Sequence, residues 1–155
     1  GLKHGFIDWL KSRQDWLLSN IDPDAEKGFI HGDIFWDNLL FSRDRLVAVL
    51  DFEEACHYYK LYDIGMCITG CCREAAGLDV KNAAGLLRGY QGGSPLTGRE
   101  KGQLKVFTEY AAVVGAFWRF RQYNVYYPGS DKSESYRELA DFADAVHSMP
   151  GFDFF

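Results

Sequence analysis

The chain opens with apolar side chains at helical spacing. Phe6, Trp9, Leu10, Trp16 and Leu17 fall on one side of a helical projection, which predicts an amphipathic helix over residues 2–19 with Asn20 near its end. Asp22-Pro23-Asp24 then turns the chain. A short apolar strand, Phe29-Ile30, follows and leads into a polar loop. From residue 39 the pattern is that of a hairpin: Leu39-Leu40-Phe41, a polar turn at Ser42-Arg43-Asp44-Arg45, and a β-branched return run from Leu46 to Leu50. Residues 52–60 read as a loop with Tyr58 and Tyr59 partly exposed. Leu61–Cys72 is apolar on nearly every face, so it belongs at the centre of a helical layer. A shorter helix over Val80–Tyr90 is ended by Gln91-Gly92-Gly93-Ser94-Pro95. Thr97 and Glu100 have capping-box spacing and open a long helix to about Asn124, with Leu104, Phe107, Ala111, Val114 and Trp118 as its inward stripe. Tyr127-Pro128-Gly129 breaks it. A last helix over residues 133–147 turns Tyr136, Leu139, Ala140, Ala143 and Val146 to one side, Pro150-Gly151 stops it, and the tail from Phe152 is read as loose unless its aromatics find a groove. The order is helix, two or three short strands, then four helices, an α+β unit dominated by helix with no internal repeat and no second domain.

This pattern carries a chemical signal. Asp33, Asn38 and Asp51 stand out as polar residues among apolar neighbours in the stretch from Gly28 to Glu54. A hairpin brings its outer ends side by side, so Asn38 and Asp51 should be neighbours. Asp33 lies in the loop that leads into Asn38. Two carboxylates and an amide oxygen therefore gather at one end of a small sheet, an oxygen-only set of the kind Mg²⁺ prefers. Taken alone, Asp33 would read as a turn residue; its register with the other two makes it a functional candidate.

The run His31-Gly32-Asp33, four residues, Asn38, a hairpin and then Asp51-Phe52-Glu53 resembles the catalytic and metal-binding loops of the protein-kinase-like phosphotransferases. The His-Gly-Asp variant, with Glu53 after Asp51-Phe52, is similar to their small-molecule branch: aminoglycoside phosphotransferases, choline kinases and homoserine kinases. Leu61-Tyr62-Asp63-Ile64-Gly65 resembles the helix that follows the metal-binding Asp in that branch. Gly89-Tyr90-Gln91, Pro95-Leu96 and the long aromatic-rich helix are most similar to the bacterial homoserine kinase type. The resemblance spans about residues 28–125. It implies the mainly helical C-terminal lobe of the kinase-like fold, with ATP and Mg²⁺ as cofactors and the hydroxyl of a small molecule as acceptor. Homoserine leads; hydroxylysine, choline or ethanolamine, and aminoglycosides are alternatives. Asp33 would orient the acceptor hydroxyl and take its proton, Asn38 and Asp51 would hold the metal, and Glu53 would join a second metal or reach substrate. His31 would support the loop, and Asp63 would hydrogen-bond its backbone. Arg119 or Arg121, in Phe117-Trp118-Arg119-Phe120-Arg121, could pair a substrate carboxylate. His4, His57 and His147 show no partner spacing.

Composition narrows the classes further. Of 155 residues, 47% are hydrophobic and 16% aromatic, which favours a folded core over disorder. A formal charge of −5 without a Lys/Arg cluster argues against nucleic acid as a partner. No apolar run suits a membrane span and the start lacks a signal-peptide pattern, so a cytoplasmic protein is expected. Cys56, Cys67, Cys71 and Cys72 read as small buried hydrophobes in a reducing compartment rather than a zinc site. The chain begins without Met, inside a helical pattern, and carries neither Gly-x-Gly-x-x-Gly nor Gly-x-x-x-x-Gly-Lys-[Ser/Thr]. The expectation is a fragment lacking its N-terminal nucleotide-binding lobe, inactive alone. A catalytically dead scaffold and a metal-dependent hydrolase are the competing classes.

Overall fold

A computed structural model describes residues 2–74 and 77–154, and the side chains from residue 5 onward within them. Helix α1 (Leu2–Asn20) precedes strand β1 (Lys27–Ile30). A 3₁₀ turn (Trp36–Asn38) leads into β2 (Leu39–Ser42) and β3 (Arg45–Val49), and then come β4 (Cys56–Tyr59) and α2 (Lys60–Cys71). Beyond a small ribbon of β5 (Arg73–Glu74) and β6 (Gly77–Leu78), the chain forms α3 (Val80–Gly93), α4 (Gly98–Arg121), a π-helical turn (Gln122–Tyr126) and α5 (Tyr136–Ser148). The fold is α+β and mostly helical, with three antiparallel two-stranded sheets among the described residues.

The centre is α2 against α4. Leu61, Ile64, Met66 and Ile68 are buried, as the all-round apolar pattern requires. The two helices approach so closely that a methyl group at Gly65 would lie 2.4 Å from the Phe107 carbonyl oxygen. Thr69 and Thr108, both fully buried, satisfy their hydroxyls on helix carbonyls, Thr69 Oγ1 on Thr108 O and Thr108 Oγ1 on Leu104 O. Gly65→Ala should therefore force backbone apart and destabilise the fold by roughly 3 kcal/mol, read as a lower urea midpoint. Gly102→Ala, in the facing helix α4 and with open space around it, should be neutral or slightly stabilising. Equal midpoints for the two variants would contradict this packing.

The capping box at the start of α4 forms as read: Glu100 N–H donates to Thr97 Oγ1, and the Glu100 carboxylate accepts from Thr97 N–H. Other expectations give way to tertiary contacts. Residues 56–59 are a strand rather than loop, because β1 offers an unpaired edge; Lys27 faces Tyr59 and Ile30 faces Cys56. Helix α3 continues through Gly93, past the glycines expected to end it, while α5 begins only at Tyr136. Trp118 is 46% exposed, since the buried face of α4 passes instead through Ala112, Val113, Ala116 and Phe120. Cys56 is exposed, unlike the expected buried thiol. The tail is seated: Phe152 is buried in the main core and Phe154 packs against it at 5.0 Å.

Glu109 of α4 is completely buried and lies between His147 Nδ1, 3.1 Å away, and Arg13, 3.6 Å away. Burial pushes its carboxyl upward while these two neighbours oppose the shift. Arg13 and the Trp9 indole also donate to Asp144, at 2.6 and 2.8 Å, so α1, α4 and α5 are joined by one polar network. His147 thus has a carboxylate partner after all, brought from a distant helix.

Candidate active site

The hairpin closes through a tight turn at Arg43-Asp44, with Arg43 at φ 54°, and pairs Leu39 with Val49. One further rung, Leu50 N–H donating to Asn38 O at 2.9 Å, sets Asn38 beside the residue before Asp51. The Asn38 amide nitrogen donates to the Asp33 main-chain oxygen at 2.9 Å and to Asp33 Oδ2 at 3.0 Å. Its Oδ1 makes no hydrogen bond among the described residues and remains available to a cation. Asp33 is half-buried. Burial raises its carboxyl above the usual range, with Asp37 and Asp51 adding to the rise and Asn38 opposing it. Asp51 is exposed and sits at φ 61°, a left-handed conformation uncommon for a residue with a Cβ.

The loop is held from below and behind. Asp63, in the first turn of α2, accepts from His31 N–H on Oδ2 at 3.0 Å and from Gly32 N–H on Oδ1 at 2.9 Å. The ring of His31 spans the Asp33 loop and the end of the hairpin. Its Nε2 is 2.8 Å from Leu50 O, which can only accept, so Nε2 carries the proton and Nδ1 accepts from Asp33 N–H at 3.2 Å. Phe52 covers that ring at 4.5 Å. Gly32 has φ 86°, and a methyl there would meet the Glu54 carbonyl oxygen at 2.8 Å, so the loop and the segment after Asp51 are in direct contact. Only glycine suits both constraints. Asp63→Asn should leave one of the two backbone N–H groups unpaired or facing an amide N–H. We expect a loss of about 1–3 kcal/mol in stability by chemical denaturation; an unchanged midpoint would remove Asp63 as the anchor of this loop.

The structure brings Asp33, Asn38 and Asp51 together and ties His31 and Asp63 to the same loop. Glu53 lies in an exposed turn without a hydrogen-bonding or ionic partner among the described residues. Asp37 is exposed in the 3₁₀ turn. Arg119 is engaged: Nη1 donates to Glu138 Oε2 at 2.7 Å and to Ser135 O at 3.1 Å. Arg121 lies over the rings of Phe117 and Tyr126, at 5.7 and 5.4 Å, with its Nε buried and without a partner. No three His, Cys, Asp or Glu side chains cluster to hold a metal ion among the described residues. The oxygens at this end of the hairpin that could hold a hard cation are the Asp51 carboxylate and the amide oxygen of Asn38.

Sequence reasoning missed two features. The Leu50 carbonyl fixes the His31 tautomer, a main-chain role that no residue type announces. Beside Trp36 of the loop there is also a cavity of about 560 Å³, with Arg73 in its wall. The one sign of Arg73 was its place directly after the most apolar helix.

Comparisons with known proteins bear on the family of the chain. The model of the APH phosphotransferase enzyme family matches residues 2–99. The homoserine kinase of Nitrobacter hamburgensis is 34% identical over 113 residues, which are 72% of this chain and 35% of that protein. Those of Rhizobium rhizogenes (33% over 110 residues, 70% and 34%) and Brucella ovis (34% over 113 residues, 72% and 35%) are similar. The chain thus matches about a third of the length of these relatives. With the family model covering more than half of it, the chain belongs to the APH phosphotransferase enzyme family.

Proposed function

We propose that this chain is the acceptor- and metal-side lobe of an ATP- and Mg²⁺-dependent kinase that phosphorylates the hydroxyl of a small molecule, homoserine foremost. The observation that carries the reading is the hydrogen-bonded junction of Asp33, Asn38 and the end of the hairpin at Leu50–Asp51. Relatives bearing the name homoserine kinase support the choice of acceptor.

In this reading Asp33 accepts a hydrogen bond from the acceptor hydroxyl and aligns its oxygen with the γ-phosphorus. It takes the proton as the new O–P bond forms and the bond to departing ADP breaks. Its raised affinity for a proton suits that transfer. Asn38 Oδ1 and the Asp51 carboxylate would hold Mg²⁺, with Glu53 as a further ligand or substrate contact. The metal, when bound, neutralises charge on the nucleotide phosphates. His31 and Asp63 keep the loop in register. The left-handed backbone at Asp51 is the sort of local cost that functional sites retain.

An N-terminal nucleotide-binding lobe completes the proposal. The hairpin and its surroundings present Leu40, Phe41, Leu46, Val47, Leu50 and Phe52 at 42–61% exposure, large apolar side chains gathered on one short element. Such a lobe would cover that surface and supply the grip on ATP. No helix among the described residues is long and apolar enough to cross a membrane; the cytoplasm, where ATP is abundant, is the proposed compartment. The test is to incubate the protein carrying that lobe with Mg²⁺ and ATP and measure ADP release with and without homoserine. Acceptor-dependent ADP release supports the kinase reading. Phosphate release that ignores the acceptor would turn it into a hydrolase, and inertness toward every alcohol would leave a scaffold.

A further inference from the structure

The cavity beside Trp36 lies between the catalytic loop, the C-terminal end of α2 and α5. Its wall touches the loop directly: a methyl group at Gly70 would lie 2.4 Å from the Ile34 carbonyl oxygen. We propose that this cavity receives the charged tail of the acceptor, with Arg73 binding a carboxylate and Asp141 and Glu74 facing an ammonium group, so that the site selects hydroxylated α-amino acids. The inference rests on the kinase reading above and sharpens it.

The charge balance supports it. Arg73 is fixed by Nε donating to Thr69 O at 2.6 Å and Nη1 donating to Glu138 Oε1 at 2.7 Å. Its Nη2 has no partner among the described residues. Glu138 is shared, because its other oxygen accepts from Arg119 at 2.7 Å. One carboxylate therefore answers two guanidinium groups, so Arg73 keeps capacity to meet a further anion. Glu74 and Asp141, also in the lining, supply negative charge. A single guanidinium with an unused N–H group among carboxylates can meet both charges of a zwitterion, where a simple cation would leave Arg73 without its anion. The planar guanidinium, held by two bonds, presents its remaining N–H groups without further loss of side-chain freedom. Arg119 acts here only through Glu138.

The experiment compares kcat/KM for homoserine and for 3-aminopropan-1-ol, which lacks only the carboxylate, in the protein with its N-terminal lobe. The wild type should favour homoserine by about 100-fold, the scale of a charge-assisted pair left unmade. Arg73→Gln should remove most of that preference and Arg73→Lys should keep part of it. In α5, three residues on from Glu138, Asp141→Asn should shrink the preference for homoserine over 4-hydroxybutanoate, which lacks the ammonium. A ratio unchanged in Arg73→Gln, or equal losses on both acceptors in both Arg73 variants, overturns the inference. ADP release with choline or an aminoglycoside but with neither amino compound overturns it while sparing the kinase reading. Release with no alcohol at all overturns both.

Discussion

Asp33→Asn, in the protein with its N-terminal lobe, is expected to lower kcat by roughly 10²-fold or more while nucleotide affinity survives. The amide has nearly the shape of the carboxylate, and the donation from Asn38 Nδ2 can persist to its oxygen. What is lost is the ability to take a proton and to draw the acceptor hydroxyl into line. Because Asp33 is half-buried, with its carboxyl raised by burial, water substitutes poorly for it. The main-chain bonds from His31 and Gly32 to Asp63 do not depend on the Asp33 side chain, so the fold should be retained. Steady-state kinetics beside a nucleotide-binding titration measures both halves. Turnover close to wild type would remove Asp33 from the mechanism.

Asp51→Ala acts on a different quantity. Asp51 brings the full negative charge of the proposed metal pair, whereas Asn38 brings a neutral oxygen, so its removal should weaken binding of the Mg²⁺–nucleotide complex itself. We expect a rise of at least 10-fold in the Mg²⁺ concentration needed for half-maximal activity. The direct check is a metal titration followed by nucleotide affinity. Alanine also has to adopt the left-handed backbone at φ 61°, a cost of about 1 kcal/mol that glycine escapes. Asp51→Gly therefore serves as companion: if strain caused the defect, glycine would restore the titration, and if the carboxylate is the ligand, glycine fails like alanine. A normal titration in either variant contradicts the assignment.

Much of the site is legible along the chain because its parts obey local rules. The hairpin over residues 39–50 is encoded by two apolar runs about a polar turn, and its closure alone carries Asn38 toward Asp51. The Thr97–Glu100 capping box is likewise a four-residue affair. Strand β4 is not, because residues 56–59 become a strand only on finding β1, a partner far back in the sequence. Helical period places Trp118 inward, but a helix of this length rotates its buried stripe as its neighbours change. Nothing near the tail in sequence shows that the main core has room for Phe152.

By itself, then, the sequence determined which residues are the candidates for the proposed chemistry, since Asp33, Asn38 and Asp51 are marked by type, spacing and an intervening hairpin that folds on local instruction. Tertiary structure decided how that chemistry is held and what surrounds it: the grip of Asp63 on two loop amides, the proton on His31 Nε2, the burial of Glu109 against His147, and the cavity walled by Arg73. Each of these joins groups from separate elements. The physical reason is that hydrogen-bond direction, burial and charge balance depend on which distant surfaces meet, and no short window of residues contains that information.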